Sequence, residues 1–147
     1  MVIALLLVLA TGQAPEGTTA PAKPAAVASP AAIAARAVEL QKQGKLEEAA
    51  AEYRRFLELS PKSWEARSNL GVVYAQLGRF DDAVVQYREV LALRPSAVAV
   101  RYNLAVALYK AGRIGETATE LEAVMKAQPD HPAAPLLLAD CRLQLGE

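Results

Sequence analysis

Residues able to do chemistry are few in this chain and lie far apart. His131 is the single histidine and Cys141 the single cysteine. A histidine-pair metal site and a thiolate metal cluster each need more ligands than these, and a lone cysteine closes no internal disulfide. No nucleophile can be placed beside a base, which covalent catalysis requires. His131 falls in Pro129-Asp130-His131-Pro132, where a solvated turn residue is expected, and Cys141 reads as a small buried apolar group. Gly112-x-x-Gly115 reads as a turn between helices with an extra glycine, not as a phosphate cradle. The acidic pairs Glu47-Glu48 and Asp81-Asp82 open helices, where the exposed N–H groups and the dipole account for them. The expectation is a protein that is not an enzyme and uses no metal or cofactor. Asparagine side chains, Asn69 and Asn103 among them, carry both a hydrogen-bond donor and an acceptor.

The elements that would position them follow from a strict period. Gly44, Gly78, Gly112 and Gly146 are spaced by 34 residues, and so are Pro61, Pro95 and Pro129. Leu46, Phe80 and Ile114 follow the first three glycines at a constant offset, and small residues recur at Ala37, Gly71, Ala105 and Ala139. A self-repeat of this kind indicates a solenoid of stacked units. The chain has 147 residues, enough for one domain, and 53% of them are apolar, with strong helix formers dominant. Sixteen basic residues balance sixteen acidic ones and are scattered, which disfavours a nucleic-acid partner.

Each unit reads as two helices. Leu70, Tyr74 and Leu77 share one face of the first. Gly78 ends it, because glycine accepts the left-handed conformation of a C-terminal cap. Asp81 opens the second helix, Ala83, Tyr87 and Val90 form its apolar face, and Pro95 stops it. Gly71 lets the two helices approach closely, and a bulky side chain there would force them apart.

Leu70-Gly71-x-x-Tyr74, then Ala83-x-x-x-Tyr87, then Pro95 resemble the tetratricopeptide repeat pattern. The resemblance implies an all-α, right-handed superhelical solenoid of about 3.5 repeats and seven helices. Its units are residues 30–63, 64–97 and 98–131, with a half repeat at 132–147. Three positions depart from the pattern. Arg67 stands where an aromatic is expected, and Arg36 stands at an apolar position of a terminal unit. Thr117 replaces an expected alanine and suggests looser packing in the third unit.

The resemblance further implies that the first helix of each unit lines a concave groove for an extended peptide or a partner helix. A stripe beside Leu70, Tyr74 and Leu77 carries Asn69, Val72 and Gln76. The matching residues are Asn103, Val106 and Lys110 in the third unit and Ala35, Val38 and Lys42 in the first. The floor is therefore a row of Val38, Val72 and Val106, with Asn69 and Asn103 beside it and Lys42 and Lys110 further along. Tyr102 and Tyr109 point near the same face. In some family members asparagines matching Asn69 and Asn103 hold a peptide backbone; the alternative is that they only align helices. The family's carboxylate clamp is not matched, since its positions hold Ala34, Ser68 and Tyr102, or Ala31, Glu65 and Ala99.

Residues 1–10, MVIALLLVLA, are an apolar run too short to span a bilayer. Followed by small residues, the run reads as the core of a signal peptide over 1–14 or as an N-terminal membrane anchor. No basic residue precedes it. Residues 15–29, rich in proline and alanine, read as a flexible linker ahead of a repeat domain over 30–147. Export to a periplasmic or extracellular location, with no membrane insertion of the folded domain, is the expectation. The last helix carries Leu136, Leu137, Leu138, Leu143 and Leu145. One face should pack inward, and the rest is too apolar to be left in water. The expected function is a protein-binding scaffold. The alternatives are a self-associating protein, paired through residues 132–147, and an accessory segment of a larger enzyme or assembly.

Overall fold

Seven α-helices, α1 (Pro30–Lys42), α2 (Leu46–Leu59), α3 (Trp64–Gln76), α4 (Phe80–Leu93), α5 (Val98–Lys110), α6 (Ile114–Ala127) and α7 (Ala134–Leu145), follow one another in a computed structural model that describes residues 28–146. Residues 1–14 and all but the last two residues of the 15–29 linker lie outside the described residues. Each helix packs on the next in the chain, and the first helices α3 and α5 also meet.

The four periodic glycines occupy equivalent bends. Gly44, Gly78, Gly112 and Gly146 have φ of +74°, +73°, +75° and +77°, a region in which a Cβ would strain the backbone. After α3 the Arg79 N–H donates to the Tyr74 carbonyl at 2.9 Å and the Gly78 N–H to that of Ala75 at 3.1 Å. The same pair of bonds closes α1 and α5, so orphan carbonyls at each end are satisfied. One or two acidic residues sit in the first turn of α2, α4 and α6, where the helix dipole favours them. Gly115 lies inside α6 rather than in the turn before it.

The starts of the first helices differ from unit to unit. Ser29 and Ser63 accept N–H bonds from Ala32 and Ala66. For α7 that role falls to His131, whose Nδ1 accepts from Ala133 at 3.3 Å and Ala134 at 3.1 Å. Its ring also lies 4.4 Å from that of Tyr102. His131 is thus a packed cap and not a solvated turn residue; the lone imidazole supplies the acceptor that serine supplies elsewhere.

The two arginines at the expected aromatic position, Arg67 and Arg101, are structural. Arg67 donates to the Pro61 carbonyl at 2.8 Å and pairs with Glu89 of α4. Arg101 repeats this one unit later, with the Pro95 carbonyl at 3.2 Å and Glu120 of α6 at 2.8 Å. A planar guanidinium has enough donors to bind a turn carbonyl and a carboxylate at once. It therefore joins the inter-unit turn to the following helix pair, as a ring would by packing. Arg36, exposed, lies 3.5 Å from Glu52.

The interior forms two clusters that meet at α5. One runs from Ala37 through Tyr53, Leu70, Val73 and Tyr87 to Leu104 and Leu108. The other holds Ala105, Leu121, Val124, Ala134, Leu138 and Cys141. Thr117 does not loosen the third unit: it is fully buried, and its hydroxyl donates to the Arg113 carbonyl at 3.0 Å, so the polar group is satisfied inside its own helix. Among the described residues one stripe of α7 is covered. Leu138 and Cys141 are buried, whereas Leu136 is 80% and Leu143 76% exposed. Ala139 is exposed too, unlike Ala37, Gly71 and Ala105 at the same register.

Candidate functional site

The faces of α1, α3, α5 and α7 beside the buried seam carry the residues picked out by periodicity. Val72 and Val106 are half-buried, Val38 is 37% exposed, and Asp140 of α7 continues their row. Lys42 and Lys110 are the last residues of α1 and α5, are exposed, and form no ion pair among the described residues.

Two clefts interrupt this surface. The first, about 340 Å³, lies between α3 and α5. Val72, Ala75 and Gln76 form one side, Asn103, Val106 and Lys110 the other, and Phe80 and Tyr87 of α4 contribute from behind. The second, about 540 Å³, lies between α5 and α7. It brings Tyr102, Val106, Tyr109 and Lys110 together with Leu136, Leu137 and Asp140. Val38, Lys42 and Asn69 line neither cleft.

The polar groups on this face are not equally available. Tyr109 donates to Asp140 at 2.6 Å, and Gln144 donates to both, at 3.2 Å and 2.7 Å. That bond to Asp140 holds the Tyr109 phenol above its ordinary pKa. In the first unit Tyr53 donates to Gln41 Oε1 at 3.0 Å. Burial pushes the Tyr53 phenol up, and a hydrogen bond from the Asn69 side chain opposes the rise. Asn69 thus stands beside a buried tyrosine of the neighbouring helix.

Tyr87, the counterpart of Tyr53 one unit on, differs. It is 2% exposed, and burial alone pushes its phenol up to about 12. No hydrogen bond to its hydroxyl is present among the described residues. Register explains why: the position of Gln41 is held by Ala75 in this unit. Tyr87 sits on α4, outside the periodic stripe, so a reading confined to the first helices passes over it. The signal that could have found it is the exchange of Gln41 for Ala75 beneath a repeated tyrosine. Phe80, Leu136, Leu137 and Asp140 were not among the expected groove residues either.

Among the described residues no group of three or more His, Cys, Asp or Glu could hold a metal ion, and no helix is long and apolar enough to cross a membrane. Burial raises the Cys141 thiol, which keeps it protonated.

A tetratricopeptide repeat family model matches residues 34–98, 76–118 and 102–147. The fold is similar to that of the first such domain of Spaghetti (RPAP3), solved with the HSP90 peptide SRMEEVD, at TM-score 0.73 and 20% identity over 80% of this chain and 94% of that one. The second such domain of human RPAP3, solved with the HSP70 peptide SGPTIEEVD, is similar at TM-score 0.70 and 19% identity over 78% and 98%. MamA from MSR-1 is similar at TM-score 0.76 and 22% identity over 84% and 71%. Comparison with curated protein sequences finds no significant match.

Proposed function

The chain belongs to the tetratricopeptide repeat family, and from that premise we propose that it is a non-catalytic scaffold that grips an extended peptide or a partner helix along α1, α3, α5 and α7. The observation that carries this reading is the continuous face on which Val72, Asn103, Val106 and Lys110 are brought to one open cleft. Its apolar floor desolvates a ligand, and its amides can pair with a backbone. Two of the similar domains were solved with short peptides, which makes peptide the first ligand to try.

The test is a binder selected from displayed random peptides, its affinity measured by fluorescence anisotropy. Asn69→Ala combined with Asn103→Ala should weaken binding about tenfold, since two lost hydrogen bonds amount to roughly 1.4 kcal/mol or more. Helix content by circular dichroism should be unchanged. Equal affinity in the double variant would take the asparagines out of the site.

A second reading has its own observation. Leu136, Leu143 and Leu145 leave part of α7 apolar and exposed, a face that a second copy could cover. Light scattering over a dilution series should then show a dimer that Leu136→Gln with Leu143→Gln converts to monomer. A monomer at every concentration of the unaltered chain would remove self-association.

A further inference from the structure

The first two units present the same buried tyrosine in two different states. Beside Tyr53 an sp² oxygen, Gln41 Oε1, accepts the phenolic proton at 3.0 Å. Beside Tyr87 the corresponding side chain is Ala75, and the space where an amide stands in the first unit is part of an open cleft. The Tyr87 hydroxyl has no protein acceptor among the described residues and borders the open cleft, where water or a ligand can take up its proton. A ligand that displaces that water has to bring an oxygen acceptor of the kind that Gln41 supplies to Tyr53.

The cleft's charge narrows the choice. Among the described residues Lys110 is the one charged residue lining it and no acidic residue does so, while the other polar groups, Gln76 and Asn103, carry amide donors. A carboxylate meets an ammonium, two amides and a phenol there, while its methylenes lie on Val72 and Val106. A neutral amide would forgo the attraction of the ammonium. The neighbouring cleft differs: an acidic residue, Asp140, lines it beside the shared Lys110, and the Tyr109 hydroxyl is already bonded. The face also continues past the cleft in both directions, toward α1 and toward α7, so a chain lying on it need not end there.

On this ground, and resting on the scaffold reading above, we propose that the α3–α5 cleft is a subsite for the side-chain carboxylate of one Asp or Glu within the bound peptide, its oxygen standing beside Tyr87 as Gln41 Oε1 stands beside Tyr53. This makes Tyr87, Asn103 and Lys110 specificity residues rather than general contacts.

The experiment displays short random peptides between fixed polar flanks, so that no free C-terminus is offered, and selects them on the immobilised full chain. Enriched peptides should carry Asp or Glu at one constant offset. Changing that residue to Asn or Gln in a synthetic copy should weaken binding about tenfold. Lys110→Met should abolish this preference, and Tyr87→Phe, which leaves the packing intact, should reduce it several-fold. Enriched peptides that lose binding in the Asn69→Ala/Asn103→Ala variant but show no constant acidic position would overturn the subsite and leave the scaffold reading standing. A preference that survives Lys110→Met would do the same. A parallel library with free C-termini separates the source of the carboxylate: binders found only there, anchored by the terminal carboxyl, would overturn the side-chain assignment. No enrichment in either library would overturn both readings.

Discussion

Gly71→Val is expected to destabilise the fold by about 3 kcal/mol or more, a large share of the roughly 5–15 kcal/mol that holds an ordinary domain together. A Cβ at Gly71 would stand 2.6 Å from Cε1 of Tyr87 and 3.0 Å from its Cδ1 and Cζ. The ring has little room to yield, because Tyr87 is 2% exposed and sits among Leu70, Val73, Ala83 and Val84 in the first core cluster. Replacing glycine in a helix gains roughly 0.5–1 kcal/mol of backbone entropy. Overpacking costs about 1–3 kcal/mol, and a β-branched side chain adds rotamer restriction and further atoms in the same space. Gly71→Ala is the mild case, expected to lose about 1–2 kcal/mol, because Ala37 at the same register shows that a methyl can be accommodated in the first unit, where it is buried. Urea denaturation followed by far-UV circular dichroism measures both. A valine variant as stable as the parent would mean that α3 and α4 can separate freely.

This contact was partly legible in the residues. The small position at Gly71 and the tyrosine at Tyr87 each stand out by period, and a need for close approach follows from the first. The turns were legible for a stronger reason: a positive φ is a local demand that glycine alone meets without strain, so a row at Gly44, Gly78 and Gly112 fixes a bend wherever it occurs. What lay out of reach depends on neighbours brought from elsewhere in the chain. Arg67 departs from the family pattern, and only the placement of the Pro61 carbonyl and Glu89 around it shows the aromatic's role passing to a guanidinium. His131 could be assigned to a turn, but its bonds to Ala133 and Ala134 depend on how that turn closes. The leucines of α7 were visible as a set, while the division into buried Leu138 and exposed Leu136 and Leu143 comes from packing on α6. At the groove, the stripe through Val72 and Val106 could be drawn from period alone. The nearness of Asn69 to Tyr53 could not, because the tyrosine comes from a different helix.

Tyr87 is expected to show a wide gap between its two simplest replacements. Tyr87→Ala should lose about 3–5 kcal/mol, since it removes a large side chain from a closed core and leaves a cavity. Tyr87→Phe should stay within about 0.5 kcal/mol of the parent near neutral pH, because the hydroxyl it removes borders the open cleft and has no protein partner among the described residues. At high pH the Phe variant should become the more stable of the two proteins. The phenol's folded pKa, pushed up to about 12 by burial, lies above the ordinary value of 10.0. The unfolded chain therefore gives up this proton first. The stabilisation linked to the protonated phenol is complete below pH 10.0 and is lost as pH rises toward 12. Phenylalanine has no proton to lose, so its alkaline limb is shallower, though Tyr53, shifted in the same direction, keeps part of the slope. Denaturation curves near pH 7 and near pH 11 test the sign. Because the ring is what the Gly71 variant strikes, Gly71→Val and Tyr87→Ala should be strongly coupled, the pair costing well below the sum of the single losses. Distant sites add to within about 0.5 kcal/mol, so simple additivity here would show that the ring is not what limits the approach of α3 to α4.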